Sequence, residues 1–365
     1  MSDPQGGNDF LVDRNDLTRH RWGDAADETP REPGPGEILV GIERFAFTAN
    51  NITYARTGER FGYWRYYPAP EPWGIVPVWG IGSVLASRAP EIAEGERVYG
   101  FWPTSRHATL RPAEIVRARF LDDTAHRREL PRTYNEYVRL DLDPDYDEAS
   151  ADQHLVLRPL FSLGFFLVAH LADSDSDLGQ VVISSASSKT ALALAFLLKR
   201  EAPAIEIVGL TRAGSAADVT RVGRYDRVLS YEAIDDLPER ASAYVDIAGD
   251  AQLLAAVHRR LAGNLGHSLG VGFTRGGGSG SPSADLPGAK PEMFFTPTHI
   301  LRQRERLGAA ELRRRIAAAW AAFLGEISPR LTIETRAGAG ALERVYEEVL
   351  SGRTPPDRAS IVAFA

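Results

Sequence analysis

The alternation of hydrophobic and polar residues changes once along the chain, and the change separates two kinds of structure. Up to about residue 155, apolar and polar residues alternate in short segments such as 37–48, bounded by glycine or proline, which predicts β-strands. Beyond it, short apolar runs alternate with helical segments such as 190–200 and 251–262. Strands that alternate with helices favour a parallel sheet with helices on both faces. The pattern therefore predicts an α/β protein, β-rich at first and then a doubly wound parallel sheet.

Two further segments complete this pattern. A glycine- and serine-rich stretch at 275–288 follows the last predicted strand of the parallel sheet. Its composition indicates a mobile surface loop, and its position beyond a strand end also suits a lid over a ligand. The remaining chain is predicted to form a long helix at 309–327, another helix and a terminal strand.

Composition excludes several classes of protein. The chain has 365 residues, 44% of them hydrophobic, with a net charge of −7 and no cysteine. This length fits two domains, and a chain without cysteine has no disulfides, thiolate zinc ligands or cysteine nucleophile. The acidic balance argues against nucleic-acid binding, and the histidines are scattered without metal-ligand spacing. The N-terminus lacks a signal-peptide pattern, and the longest apolar stretch, 160–172, is too short to span a bilayer. We therefore expect a soluble, cytoplasmic protein with no metal and no membrane.

The segment 181–198 has the outline of a dinucleotide-binding unit: a β-branched run, a tight turn and a helix rich in alanine and leucine. In a G-x-x-G-x-x-G frame, the glycine positions fall on Ser185, Ser188 and Ala191. These residues are small enough for close approach of a phosphate, serine hydroxyls donate to phosphate oxygens, and the helix N-terminus attracts an anion. A lysine in the first helical turn is favourable only beside a negative group. The predicted cofactor-binding residues of the turn are Ser185, Ser187, Ser188, Lys189 and Thr190.

The identity of the nucleotide is predicted from the end of the second strand of this unit. An NAD site usually places an acidic residue there to bind the ribose 2′-hydroxyl. This chain has Thr211 and Arg212 instead, and the next acidic residue is Asp218. A cation beside hydroxyl groups suits a 2′-phosphate, so we predict NADP as the cofactor, bound by Thr211 and Arg212. A P-loop is excluded, because its glycine positions are occupied by Ile183 and Ser188.

Five segments resemble, in the correct order, motifs of one enzyme superfamily. They are GEILVGIERFAFTANNITYARTG (36–58), GIGSVLASRAPEIAEGERVYGF (80–101), VGRYDRVLSYEAI (222–234), YVDIAGD (244–250) and VLSGRTPPDRASIVAF (349–364). Through them the chain resembles the medium-chain dehydrogenase/reductase superfamily, on its zinc-free, quinone-reductase-like side. More narrowly, TANNITYA, YVDIAG and PGAKPEMFFTP resemble the DUF2855 proteins, an uncharacterised subfamily.

The resemblance implies an architecture and a set of partners. It places a GroES-like catalytic domain at 1–155 and 328–365, and a Rossmann dinucleotide-binding domain at 156–327. It also implies a homodimer through the edge strand of the Rossmann domain. The seven aromatic residues between Phe61 and Trp79 suit the wall of a pocket for a small apolar or aromatic substrate. By the same resemblance, Tyr231 packs near the adenine and Gly249 gives room in a turn near the cofactor.

The resemblance also implies a catalytic loop. Against the zinc-free pattern Asn-x-x-Asp-x-Tyr-x-x-x-Gly ending at Gly58, Tyr54 falls on the tyrosine, and the asparagine expected at Ala49 is displaced to Asn50 and Asn51. In the family these positions line the nicotinamide pocket, where phenol and carboxamide groups donate hydrogen bonds to a developing oxyanion. Tyr54, Asn51 and Asn50 are therefore the predicted catalytic residues. Packing of Tyr54 as an amphipathic aromatic remains an open alternative.

Three functions fit these features. The first is a zinc-independent, NADPH-dependent reductase that transfers hydride to an activated alkene, quinone or carbonyl. The alternative is a non-redox isomerase or lyase on the same scaffold, with a structural or lost nucleotide site. The missing glycines and displaced asparagines support this alternative. A binding protein without catalysis is the third, and the polar residues around Tyr54 argue against it.

Overall fold

The computed structural model describes residues 7–25, 32–144, 146–174, 177–271 and 286–364. The chain divides into two compact units, one formed by residues 1–156 and 330–365 and the other by residues 157–329. The predicted glycine- and serine-rich loop, 275–288, lies outside the described residues except for its last three positions. We describe each unit by itself.

The bounds of the elements follow. The strands are β1 (Asp9–Asp13), β2 (His20–Gly23), β3 (Ile38–Phe47), β4 (Trp73–Ile75), β5 (Pro77–Ser87), β6 (Arg97–Pro103), β7 (His107–Leu110), β8 (Pro112–Val116), β9 (Arg119–Asp122), β10 (Glu136–Arg139), β11 (Gln180–Ile183), β12 (Glu206–Thr211), β13 (Arg227–Ser230), β14 (Ser242–Asp246), β15 (Leu265–Gly270), β16 (Glu292–Met293), β17 (Thr332–Ala337) and β18 (Arg358–Ala363). The α-helices are α1 (Ala49–Arg56), α2 (Gly58–Phe61), α3 (Ala151–Ala172), α4 (Lys189–Glu201), α5 (Ala216–Val222), α6 (Ala251–Leu261), α7 (Thr296–Leu307), α8 (Ala309–Ile327) and α9 (Ala339–Leu350).

The first unit is built on a large sheet in the order β17-β18-β3-β5-β6-β10-β9-β8, with β7 also pairing with β3, and on a smaller sheet in the order β2-β1-β4. Its strands pair antiparallel except for β17 and β18, which are parallel. The alternating segment predicted at 37–48 forms β3, which pairs with β5, β7 and β18. Trp102 packs in the core with its ring 4.7 Å from that of Tyr137. Gly100 leaves room for this packing, because a Cβ at Gly100 would lie 2.2 Å from the Tyr137 ring.

The second unit is a parallel sheet in the order β13-β12-β11-β14-β15-β16. Its central strands are buried along their whole length, as in β11 with Val181, Val182 and Ile183, so they appear in the sequence as continuous apolar runs. The order reverses between β11 and β14, and β11, β12 and β14 end at the same edge of the sheet. In doubly wound sheets this edge is where ligands bind.

One helix corrects a prediction made from the sequence. Among the described residues, 148–172 form one helix long and apolar enough to cross a bilayer, and 56% of its most apolar window is buried. The argument that no segment is long enough is therefore wrong, since the helix begins well before the apolar stretch 160–172. Burial explains its composition: Phe161 lies 5.2 Å from the ring of Trp320, and Gly164 approaches Leu194 of α4. A core helix that packs on several sides is apolar all round.

Candidate functional site

The serine-rich turn follows β11 and leads into α4. Ser185 has a φ of +54°, in the left-handed region that glycine normally occupies. Its backbone N–H donates to the hydroxyl of Tyr231 over 3.2 Å. The backbone N–H of Ser188 donates to the carbonyl of Ser185 over 2.8 Å, which closes the turn. The chain therefore makes the tight bend of a dinucleotide-binding turn without glycine.

Ser184 joins the ends of β11 and β14. Its hydroxyl is fully buried and donates to Oδ1 of Asp246 over 2.9 Å. The Oγ of Ser184 accepts hydrogen bonds from the backbone N–H groups of Ile247 at 2.9 Å and Ala248 at 3.0 Å. We call these four residues the strand-end clasp. It fixes the path of the chain beyond β14 relative to the start of the turn.

Asp246 is the acidic member of the strand-end clasp. Besides the Ser184 bond, Oδ1 accepts the backbone N–H of Gly249 at 3.0 Å and the hydroxyl of Tyr244 at 3.2 Å. Burial raises the pKa of Asp246, and these hydrogen bonds only partly oppose it. Gly249 has a φ of +65°, in the left-handed region that favours glycine, and its N–H donates to the Asp246 carboxylate.

The start of α4 determines which donors the turn can offer to an anion. Ser188 caps the helix, its hydroxyl oxygen accepting the N–H of Ala191 at 3.2 Å. The N–H of Ala186 donates to the carbonyl of Leu210 and is therefore not available to an anion. Within the described part of the chain, the backbone N–H groups of Ser187 and Thr190 have no hydrogen-bond partner. These two donors lie at a helix N-terminus, where the helix dipole attracts negative charge.

The two residues predicted to select NADP, at the end of β12, differ in their exposure to solvent. Thr211 is the last residue of the strand and only 2% exposed. Arg212 follows it, is exposed, and precedes the 3-10 turn Ala213–Ser215. Its carbonyl accepts the N–H of Ser215 at 2.9 Å, while its guanidinium is in solvent reach. Of the two, only Arg212 has an exposed side chain.

The loop around Tyr54 belongs to the first unit. Thr48 caps α1, and the side-chain oxygen of Asn51 accepts the N–H of Thr48 at 2.8 Å, which completes a capping box. The Asn51 amide nitrogen donates to the carbonyl of Pro77 at 3.0 Å, and the residue is only 3% exposed. Both polar atoms of this side chain therefore hold α1 in place on the sheet.

The Tyr54 hydroxyl accepts two hydrogen bonds. Asn50 donates from Nδ2 over 2.7 Å, and Trp79 donates from the indole nitrogen over 3.3 Å. Burial raises the pKa of the Tyr54 phenol above its usual value, so the group is neutral at physiological pH. With its oxygen already accepting twice, the phenol has its own hydrogen left to donate. The structure thus brings Tyr54 and Asn50 together and adds Trp79.

The aromatic residues between 61 and 79 explain the burial of Tyr54. The ring of Tyr63 lies 4.5 Å from that of Tyr54, and the hydroxyl of Tyr63 is 3.1 Å from that of Tyr134. Beneath them, the buried Arg127 pairs with Asp122 at 3.0 Å. Most of this aromatic segment packs in the core, and the ion pair that contacts it through Tyr67 was not anticipated from the sequence.

Three of the histidines that look scattered in the sequence lie together. The ring of His170 on α3 is 4.8 Å from that of His299 on α7 and 6.2 Å from that of His267 on β15. Phe294 stacks on His299 at 4.0 Å. Among the described residues, no group of three or more His, Cys, Asp or Glu side chains has an arrangement that could hold a metal ion. Burial, and then the neighbouring His170, lower the pKa of His299 to about 4.

The fold is shared with several solved structures. The Pseudomonas syringae pv. Tomato DC3000 quinone oxidoreductase is 18% identical, with a TM-score of 0.59 over 98% of this chain and 100% of that one. Mycobacterial Rv1454c complexed with NADPH is 16% identical, with a TM-score of 0.55 over 98% and 100%. CurA from Vibrio vulnificus in complex with NADPH is 12% identical, with a TM-score of 0.56 over 93% of both chains. The predicted fold class, a β-rich domain together with a doubly wound parallel sheet, is confirmed.

The sequence itself matches a single family description. No curated protein matches it. The family model described as "Protein of unknown function (DUF2855)" matches residues 45–355.

Proposed function

Since the chain belongs to the DUF2855 family, whose function is unknown, its activity must be inferred from its residues, and we propose that it is a zinc-independent, NADPH-dependent reductase. The proposed reaction is hydride transfer to an activated alkene, quinone or carbonyl. The observation that carries this proposal is the left-handed Ser185, because it preserves the shape of a dinucleotide-binding turn where the sequence has lost its glycines. The proposed domains are a GroES-like catalytic domain at 1–155 and 328–365 and a Rossmann domain at 156–327.

The residues around the turn suit the cofactor. The N–H groups of Ser187 and Thr190 would bind the pyrophosphate, with Lys189 adding positive charge in the first turn of α4. Arg212 would pair with the 2′-phosphate, which distinguishes NADP from NAD. Two of the similar structures are complexes with NADPH, which supports this choice. NADPH, when bound, supplies the hydride.

Tyr54 would act as the hydrogen-bond donor that a zinc-free reductase requires. The chain has no cysteine, so thiolate ligands for a catalytic zinc are impossible. A neutral phenol held by Asn50 and Trp79 donates its hydrogen to a carbonyl oxygen and stabilises the negative charge that develops there. We do not extend this role to Asn51, because both polar atoms of its amide are engaged in holding α1.

A non-redox isomerase or lyase with a lost nucleotide site is the second candidate. It is favoured by one observation: the N–H groups of Ser185 and Ala186 already have partners inside the protein, so the turn offers an anion few backbone donors. The homodimer, the small apolar or aromatic substrate and the cytoplasmic location stay predictions from the sequence.

Titration of the purified protein with NADPH and NADH, followed by calorimetry, tests the proposal. We expect NADPH to bind more tightly than NADH, and Arg212→Ala to remove most of this preference while NADH binding stays unchanged. An Arg–phosphate pair is worth about 1.5–3 kcal/mol, so the expected loss is about 10–100-fold in affinity.

The control variant is Arg221→Ala. Arg221 is an exposed arginine nearby that pairs with Asp218 at 2.6 Å, so its loss removes the same charge from the same unit without touching the predicted site. If neither nucleotide binds, the reductase proposal is wrong and the non-redox candidate replaces it. If both arginine variants weaken NADPH binding equally, the effect is one of general charge, and Arg212 has no specific role.

A further inference from the structure

Tyr225, just before β13, contacts the serine turn from two strands away. Its hydroxyl donates to the carbonyl oxygen of Ala186 over 2.8 Å. Burial raises the pKa of this phenol, so the hydroxyl keeps its hydrogen and remains a donor at physiological pH. Tyr225 is not among the residues that the sequence predicts to bind the cofactor.

The backbone on both sides of Tyr225 is held in place. The preceding residue, Arg224, forms an ion pair with Glu326 of α8. The following residue, Asp226, forms two hydrogen bonds with Ile207 of β12. Its N–H donates to the Ile207 carbonyl, and its carboxylate accepts the Ile207 N–H, each at 2.9 Å. The tyrosine side chain therefore extends towards the turn from a fixed position.

A glycine of β12 makes room for the Tyr225 ring. A Cβ on Gly209 would lie 2.8 Å from Cδ1 of Tyr225 and 2.9 Å from the Cβ of Ala186, closer than such atoms approach in proteins. A glycine inside a strand often marks a close approach of this kind. Gly209 thus leaves the space that the phenol needs to reach the turn.

The carbonyl that accepts this hydrogen bond belongs to the same peptide group as the N–H of Ser187. This peptide is trans, so its C=O and N–H bonds lie in one plane and point in opposite directions. By fixing the direction of the Ala186 carbonyl, the Tyr225 hydroxyl also fixes the direction of the Ser187 N–H, which points away from Tyr225. The bond from the Ala186 N–H to Leu210 orients only the preceding peptide.

We propose that Tyr225 is a positioning residue of the cofactor site, whose hydroxyl directs the N–H of Ser187 towards the pyrophosphate. This inference rests on the proposed function, in which the N–H groups of Ser187 and Thr190 bind the pyrophosphate. When a turn offers few donors, the direction of each one matters, because a hydrogen bond weakens steeply as its donor becomes misaligned. Tyr225 acts through the turn and does not touch the nucleotide.

Tyr225→Phe tests this role, because it keeps the ring and removes only the hydroxyl. The variant is titrated with NADPH and NADH by calorimetry. We expect both nucleotides to bind about tenfold more weakly, or by about 1.4 kcal/mol, since the pyrophosphate is common to both. The ratio of the two affinities should stay that of the wild type, whereas Arg212→Ala changes this ratio.

A second measurement needs no nucleotide. The ¹⁵N NMR order parameter of the Ser187 amide should be close to about 0.85 in the wild type, the value of a rigid backbone, and should fall in Tyr225→Phe. This readout separates a positioning role from a merely structural one, because a loss of global stability does not by itself loosen one peptide of the folded protein.

The matched control is Ser242→Ala. Ser242 is fully buried in the same unit, and its hydroxyl donates to the carbonyl of Arg240 at the start of β14, the end of the sheet opposite to the turn. This variant should unfold at a lower urea concentration but bind both nucleotides like the wild type, with an unchanged order parameter for Ser187.

Four results overturn the inference. They are wild-type affinity of Tyr225→Phe for both nucleotides, a loss of affinity for NADPH alone, an equal loss in Ser242→Ala, and an unchanged order parameter of Ser187 in Tyr225→Phe. Each of them leaves the reductase proposal standing. A wild-type protein that binds neither nucleotide instead overturns the reductase proposal, and this inference with it.

Discussion

Replacing Ser184 by alanine tests whether the strand-end clasp shapes the turn. The buried Ser184 hydroxyl donates to Asp246 and accepts the backbone N–H groups of Ile247 and Ala248. In Ser184→Ala both N–H groups lose their hydrogen bond to the serine hydroxyl, while the carboxylate keeps its bonds from Gly249 and Tyr244. A hydrogen bond contributes about 0.5–1.5 kcal/mol, so the loss of three gives an expected decrease of about 1.5–4.5 kcal/mol in the free energy of unfolding.

The assay is urea unfolding followed by circular dichroism, with hydrogen exchange of residues 247 and 248 as a direct readout. The control is Ser188→Ala, which removes the same hydroxyl from the same turn but only one hydrogen bond, that from Ala191. Loss of such a cap costs about 1 kcal/mol. If the two variants lose the same stability, or if exchange at 247 and 248 is no faster in Ser184→Ala, the reasoning about the strand-end clasp is refuted.

Four further predictions follow. Tyr54→Phe should lower kcat about 100-fold with NADPH affinity unchanged, because one oxyanion donor is lost, and steady-state kinetics with calorimetry check this. Asn51→Ala should lower the free energy of unfolding by about 1–3 kcal/mol through loss of the cap and the Pro77 bond, seen as an earlier urea midpoint. The unfolded chain protonates His299 near pH 6.5 and the folded chain only near pH 4, so stability falls as pH drops between these values. His299→Gln should flatten that part of the pH profile of urea unfolding. Ser185→Gly should raise the free energy of unfolding by about 1 kcal/mol, because glycine adopts the left-handed backbone without strain. The thermal midpoint should therefore rise, and an unchanged or lower midpoint contradicts the strain.

Much of the fold follows from short-range patterns in the sequence. The alternation at 37–48 became β3, and the alanine- and leucine-rich segment at 190–200 became α4, because a strand or a helix buries one face at its own period. The helix predicted at 309–327 has the same bounds in the structure. The start of α3 was missed because Asp152 and Arg158 interrupt the apolar pattern without interrupting the helix.

The details of the site depend on contacts between distant residues, which one sequence does not reveal. Ser184 and Asp246 are 62 positions apart, and only the pairing of β11 with β14 brings them together. Trp79 reaches Tyr54 in the same way, from a strand 25 positions further on. The sequence did indicate one feature of the site, because two small polar residues, Ser184 and Ser185, follow a buried strand. The sequence does not show that Ser184 joins the ends of β11 and β14, or that Ser185 forms the left-handed bend of the turn.

The serine turn shows how glycine can be lost without losing the bend. A left-handed residue other than glycine costs about 1–2 kcal/mol, and Ser185 offsets this through the bonds to Tyr231 and Ser188. Close packing of the turn against the neighbouring strand is made possible by Gly209 of β12, because a Cβ on Gly209 would lie 2.9 Å from that of Ala186. Gly209 therefore supplies space for the turn, while the left-handed backbone is adopted by Ser185 itself. The missing glycines thus argue for a rebuilt turn of the same shape, and the number of donors it can still offer decides whether a nucleotide binds.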